Sequence, residues 1–169
     1  MSRALEDLEP DVARKVRAVM EYCAAKGHPL RVIHTYRSSD EQARQHAKGR
    51  EIPGEPCRHV VNGKVELRKV GSCSAHPLGA TVTRAKPGGS WHEYRRAADF
   101  AFVVNGKPSW DDSLPWHLIG EACSKVGLEW GVRMANGKRG DLGHVQDRGG
   151  MTIAEARAAA DGEGRIRVA

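Results

Sequence analysis

The chain has 169 residues, the length of one ordinary domain and enough to bury a single core without staples. A hydrophobic share of 40% beside 28% charged residues is that of a globular chain with a solvated surface, and no stretch is apolar enough for a transmembrane span. Lysine plus arginine exceed aspartate plus glutamate by 27 to 21, a net charge of +6 that favours anionic partners. Nucleic acid and the carboxylate- and phosphate-rich bacterial surface both satisfy it, and charge alone does not choose between them.

Met1 to Pro10 is acidic and polar, without the apolar run of roughly 7 to 15 residues that a signal peptide needs, so synthesis in the cytoplasm is expected. Glu9-Pro10-Asp11 opens a helix whose apolar positions Val12, Val16, Val19, Met20 and Cys23 recur at helical spacing, and Gly27 ends it. Cys23 belongs to that stripe and reads as a packing residue, not a nucleophile. Leu30 to Tyr36 is predicted as a strand, and Ser38-Ser39-Asp40-Glu41 as a capping box opening a second helix to about Lys48. Arg37 therefore lies where a strand hands over to a helix. Val60 to Val65 reads as a hairpin, since Asn62-Gly63 suits a type I′ turn. Around it, Cys57 and His59, with Cys73 and His76, could close a tetrahedral structural zinc site; the two cysteines could equally form a disulfide, or stay free.

Further on, Ala97 to Val104 alternates, with Ala98, Phe100, Phe102 and Val104 on one face and Asp99 on the other, which predicts a strand. Asn105 to Pro108 is a turn. Ser113-Leu114-Pro115 opens a third helix to about Val126, with Leu118, Ile119, Ala122 and Cys123 on its apolar face and Gly127 as its stop. His117, without a carboxylate nearby, reads as a surface or core-edge residue. Thr152 with Glu155 makes another capping box for a last helix to about Ala160, and the tail from Asp161 is expected to fray. No repeat, low-complexity segment or linker interrupts the chain, so one domain over residues 1–169 is expected.

Chemistry concentrates in two places. Ser90-Trp91-His92 precedes Asp99 by seven residues at a loop-to-strand junction, and Asp141-Leu142-Gly143-His144-Val145-Gln146 sets a carboxylate three residues before a second histidine, after the glycine-bearing turn Asn136 to Gly140. A catalytic zinc takes three protein ligands from His and carboxylate and leaves a fourth position for water, and a further carboxylate must take that water's proton. His92, Asp99 and His144 fill the first role and Asp141 the second. A guanidinium fixed near such a metal, as Arg37 would be, can hold a substrate carboxylate or a developing oxyanion. Trp91 and Trp130 lie close in sequence to these elements and could wall a substrate cleft.

In order, Ser-x-His, Ala-x-Asp-Phe and Asp-x-x-His-Val-Gln resemble the zinc peptidases that include the L-alanyl-D-glutamate endopeptidases of phage lysis and the D-alanyl-D-alanine carboxypeptidases and dipeptidases. Leu30 to Ser38 with Glu41-Gln42 is similar to that family's early strand, its Tyr-Arg-Ser and its following Gln. The run Gly49-Arg50 to Pro53-Gly54, then Thr83 to His92, and Gly127-Leu128-Glu129-Trp130-Gly131, resemble its phage-lysin branch. The resemblance spans about Leu5 to about Ala159. It departs at Arg95, where the family usually has Gly, and at an insertion-like stretch at about 55–82.

What the resemblance implies is an α+β fold: a small, mainly antiparallel sheet with strands near Arg31–Tyr36, Ala97–Val104 and His144–Asp147, and helices packed against it. It further implies one catalytic zinc, a role in catalysis for Arg37, and Gln42 and Ser90 as substrate-binding residues; Trp91 and Trp130, named for their nearness in sequence, are either further substrate-binding residues or core. A second zinc would be structural, at Cys57, His59, Cys73 and His76. The expected activity is hydrolysis of the peptidoglycan stem peptide at the L-Ala–D-Glu bond by a monomer acting on the wall after a separate protein permeabilises the membrane. A D-Ala-D-Ala carboxypeptidase is the rival within the same chemistry. A zinc-supported nucleic-acid-binding module is the alternative from another class, and it leaves His92, Asp99, Asp141 and His144 unexplained; no nucleic acid is expected.

Overall fold

The computed structural model describes residues 1–47, 83–133 and 139–167, together with the backbone of 57–61 and 64–68. In chain order the elements are α1 (Pro10–Ala25), β1 (Leu30–His34), α2 (Ser39–Ala47), β2 (Cys57–Val61), β3 (Lys64–Arg68), β4 (Ala97–Val104), β5 (Lys107–Ser109), α3 (His117–Val126), β6 (Glu129–Arg133), β7 (Arg139–Gln146) and α4 (Ile153–Ala159). Two 3-10 turns, Leu5–Asp7 and Trp91–Tyr94, join them. The chain divides into two compact units, one of Met1–Ser38 with Trp91–Ala169 and the other of Ser39–Ser90.

In the first unit α1 starts with Pro10 at its opening position, where the missing N–H costs nothing. Val12, Val16, Val19 and Cys23 form its buried stripe, packed with Leu118, Ile119, Ala122 and Cys123 of α3 in one core. Each fully buried aliphatic side chain there contributes about 1.5–3 kcal/mol. Burial, with the charge of Glu121, pushes the Cys23 thiol up to about 11, as befits a packing residue. Gly127 ends α3 in the left-handed conformation, φ 73°, and its N–H bonds back to the Cys123 carbonyl.

The sheet is antiparallel throughout, in the order β1-β4-β7-β6, with β5 also pairing β4. Phe100 and Phe102 of β4 and Val145 of β7 face the helices and are buried, and Phe102 meets Trp116 edge-on at 4.9 Å between centroids. The expected α+β architecture with a small antiparallel sheet is therefore present. A second cluster, Trp91, Tyr94, Ala97 and Ala156, holds α4, whose capping box between Thr152 and Glu155 is formed as expected.

Several boundaries differ from the sequence reading. β1 ends at His34 because Thr35 and Tyr36 pair instead with Ser2, through Ser2 N–H to Tyr36 O and Thr35 N–H to Ser2 O, both at 2.9 Å. α3 begins at His117, not near Ser113, because the Asp111 carboxylate accepts from the Ser113 N–H at 2.8 Å and holds that segment in a turn. β5 and β6 were not foreseen; both are short, and Pro108 and Gly131 mask their strand character. The described part of the tail, residues 161–167, is held in place, contrary to the expected fraying. The Asp161 carboxylate accepts from the N–H groups of Glu163 and Arg165, each at 2.9 Å, Ala160 bridges Ile166, and Gly164 lies so close to the Glu93 carbonyl that an added Cβ would stand 1.8 Å from its oxygen.

A buried charge cluster ties α1 to the residue after β7. Asp147 accepts from Lys15 at 2.5 Å and the Gly149 N–H at 2.7 Å, and pairs with Arg96 at 3.2 Å. Burial works to raise its carboxyl, but Lys15, the Gly149 amide and Arg96 outweigh it, so Asp147 sits below the ordinary carboxylate value. Its contribution to stability is then present above the unfolded value, roughly pH 4, and is lost as pH falls through the lower folded value. Asp147→Asn is expected to cost about 2 kcal/mol at neutral pH, and denaturant unfolding at neutral and acid pH reads the gap. A gap that did not shrink in acid would contradict this assignment.

In the second unit α2 follows the expected capping segment, and β2 pairs β3 antiparallel from Cys57↔Arg68 to Val61↔Lys64, the expected hairpin. Its Asn62-Gly63 turn lies outside the described residues, as do Cys73, His76 and the side chains of Cys57 and His59. Among the described residues Cys23 and Cys123 are buried and form no disulfide. No helix among them is long and apolar enough to cross a membrane.

Candidate metal centre

Asp99 sits in the middle strand with one partner on each side: β1 sets His34 opposite it and β7 sets His144 opposite it. His92 arrives from the 3-10 turn Trp91–Tyr94 just before β4. The chain leaves that turn through Arg95, whose φ of 60° is the left-handed conformation a glycine would favour. Its side chain compensates for the strain: Nε donates to the Glu163 carbonyl and Nη1 to the Asp7 carbonyl, each at 2.9 Å, while the guanidinium lies 4.0 Å over the Tyr36 ring. Arg95 therefore takes a glycine-like backbone conformation and clamps it with its own side chain.

Three ligand atoms, one each from His92, Asp99 and His144, lie within 4.8 Å of one another. His92 Nε2 is 3.2 Å and His144 Nδ1 2.9 Å from Asp99 Oδ1. The far side of each ring fixes its proton. His92 Nδ1 is 2.6 Å from the Thr35 carbonyl, which can only accept, so it carries hydrogen. Gln146 commits its amide N–H to Glu129 at 3.0 Å, so its Oε1 must accept from His144 Nε2 at 3.1 Å. In their neutral forms both histidines thus aim a lone pair at a carboxylate oxygen, three acceptors converging with no proton between them. Only a cation or full protonation of both rings relieves this. Four donors around a zinc lie roughly 3.3 Å apart, close to these separations, so the three residues fit a divalent ion and could hold one. Each histidine also has the outer partner that fixes a ligand's tautomer.

Burial would raise Asp99, but the charge of His92 and its bonds with His144, His34 and His92 hold it well below the usual carboxylate range. Burial would lower His144, and Asp99 and Asp141 overcome that to raise it. Asp141, unlike Asp99, is raised: although the residue is exposed at the surface, its carboxyl loses part of its water and feels the charge of Asp99, against His144, His92 and Arg37. A carboxyl raised among these charged groups is suited to taking and returning a proton.

Asp141 owes its place to an irregularity. β6 and β7 pair at Val132↔Gly140 and again at Trp130↔Val145; between these β6 has Gly131 alone, while β7 has Asp141 to His144. The surplus bulges, and Asp141 takes φ 51°, tolerable for Asp. Arg37 is buried, its Nη2 3.9 Å from Asp99 Oδ2 and its N–H bonded to the His92 carbonyl at 3.2 Å.

Two residues escaped the sequence reading. His34 Nδ1 lies 3.2 Å from Asp99 Oδ2. Gly143 is so close to β4 that a Cβ would stand 2.4 Å from the Phe100 carbonyl oxygen. Its place inside Asp-x-x-His hinted at a constraint, whereas nothing in the strand pattern marked His34. Of the residues expected to bind substrate, Trp91 is buried against Tyr94, Ala97 and Ala156. Trp130 donates its indole N–H to the Leu142 carbonyl at 2.7 Å and lines a cavity of about 820 Å³ with Gln146 and Arg148. Gln42 and Ser90 belong to the other unit, where Gln42 is fully buried and donates to the Ala85 carbonyl at 2.7 Å.

No protein-family model matches the chain, and no curated protein matches it. Among solved structures it is similar to the Serratia marcescens L-Ala D-Glu endopeptidase ChiX, at 21% identity over 84% of this chain and 81% of that chain, with a TM-score of 0.45. Likeness of that degree carries no argument about activity, and the chemistry rests on the side chains described above.

Proposed function

We propose that the protein is a zinc-dependent peptidoglycan endopeptidase that hydrolyses the stem peptide at its L-Ala–D-Glu bond. The observation that carries this is the convergence of two histidine lone pairs on one Asp99 oxygen, with the raised carboxyl of Asp141 among the same charges. A zinc ion held by His92, Asp99 and His144 would supply Lewis acidity, polarising the scissile carbonyl and making the attacking water acidic. Asp141 takes the proton from that water and returns it to the leaving amine. Arg37 steadies the oxyanion or a stem carboxylate. The ordered motifs resembling peptidoglycan peptidases supply the substrate class, and the net charge of +6 suits an anionic envelope. In this reading the chain is one catalytic domain, a monomer made in the cytoplasm in the manner of a phage lysin, and Trp130, on the wall of its cavity, contacts the stem.

Chelation provides the test. Clearing of purified cell walls is expected with the zinc-loaded protein, to vanish after metal removal and to return on adding zinc. Clearing unaffected by thorough chelation, with metal absent by elemental analysis, would remove the metal from the mechanism.

A further inference from the structure

The two oxygens of Asp99 have different surroundings. Oδ1 faces His92 Nε2 at 3.2 Å and His144 Nδ1 at 2.9 Å, whereas Oδ2 lies 3.2 Å from His34 Nδ1 and 3.9 Å from Arg37 Nη2. The Arg37 separation exceeds hydrogen-bond length, so His34 is the closer hold on Oδ2. This contact exists because β1 is irregular. Leu30, Arg31 and Val32 pair with Phe102, Ala101 and Phe100 in unbroken register, which would next set Ile33 opposite Asp99. The shift between Val32 and His34 adds one residue to β1 and sets His34 there instead. The irregularity brings a third histidine to a carboxylate that would otherwise oppose an aliphatic side chain.

A carboxylate can offer a divalent ion one oxygen or both, and an N–H donor on the second oxygen restricts it to one. We infer that His34 is a positioning residue: its Nδ1–H holds Asp99 Oδ2, so that the carboxylate presents Oδ1 alone to a divalent ion shared with His92 and His144. This rests on the reading of His92, Asp99 and His144 as a metal group. His34 acts through Asp99 and not on substrate, and with a side chain 27% exposed it stands at the edge of the site.

The test is Co²⁺ titration of the metal-free full chain as wild type, His34→Asn and His34→Val, reading affinity and the visible absorption spectrum, with circular dichroism to confirm folding. Asn keeps an N–H near the Nδ1 position, and Val suits a strand but offers no donor. The Asn variant is expected to keep the wild-type spectrum and affinity. The Val variant is expected to lose roughly 10- to 100-fold in affinity and to show the weaker bands of a higher coordination number as the second oxygen enters. A folded Val variant with wild-type spectrum and affinity would overturn the role. So would a changed spectrum in the Asn variant, which decides the matter alone should the Val variant not fold. Failure of the wild-type chain to bind Co²⁺ would instead overturn the metal reading beneath, and this inference with it.

Discussion

Replacing Asp141 with Asn is expected to lower peptidoglycan hydrolysis by roughly 10²- to 10⁴-fold, the usual contribution of a general base, while bound metal stays the same. Asn accepts the left-handed conformation about as readily as Asp, so the φ of 51° and the bulge that carries it are retained. What disappears is the one carboxyl in the centre held above its ordinary value, by lost hydration and by the charge of Asp99. Because the group that could hold the ion is His92, Asp99 and His144, without Asp141, the metal content by elemental analysis should match wild type. Full lytic activity in this variant would remove Asp141 from the mechanism, and loss of the metal would make it a holder of the ion instead of a base.

The second large effect is expected at a residue with no side chain. Gly143→Ala would place a methyl group 2.4 Å from the Phe100 carbonyl oxygen, a contact that backbone must move to relieve. A shift of β7 away from β4 falls at the point where His144 stands opposite Asp99. Overpacking of this kind costs about 1–3 kcal/mol. The larger consequence lies in metal binding, since a displaced His144 no longer meets Asp99 Oδ1 at 2.9 Å. Affinity is expected to fall at least as far as on loss of an outer hydrogen-bond partner, roughly 10- to 100-fold, as read by competition with a chromophoric chelator. A variant with unaltered affinity and melting temperature would show that β7 can give way without moving His144, and that Gly143 has no part in the centre.

How much of this the sequence discloses depends on regularity. β4 is visible in full because Ala97 to Val104 is an apolar run broken only by Asp99, although Val104, expected on the core face, is exposed; α1 and α3 are visible because their apolar stripes keep helical spacing. The ligand residues are legible as residue types in order, and His92, Asp99 and His144 do come together. What escapes is what irregular backbone does. His34 opposes Asp99 through a register shift that no periodicity announces, and Asp141 is carried on a bulge, four residues of β7 set against one of β6. Arg95 hides for a different reason: a left-handed position suggests glycine, and here contacts with Asp7, Glu163 and Tyr36, distant in sequence, hold an arginine in it. The order of the tail is hidden by the opposite cause: polar residues after Ala160 suggest fraying, while the turn closed by the Asp161 carboxylate is wholly local.

Digestion of purified peptidoglycan by the zinc-loaded protein, followed by mass spectrometry of the new termini, tests the central claim most directly. The account predicts new carboxyl termini on L-Ala matched by new amino termini on D-Glu, absent from a parallel digest with Asp141→Asn. Free D-Ala as the sole product, or no new termini from a chain shown to carry its metal, would contradict it.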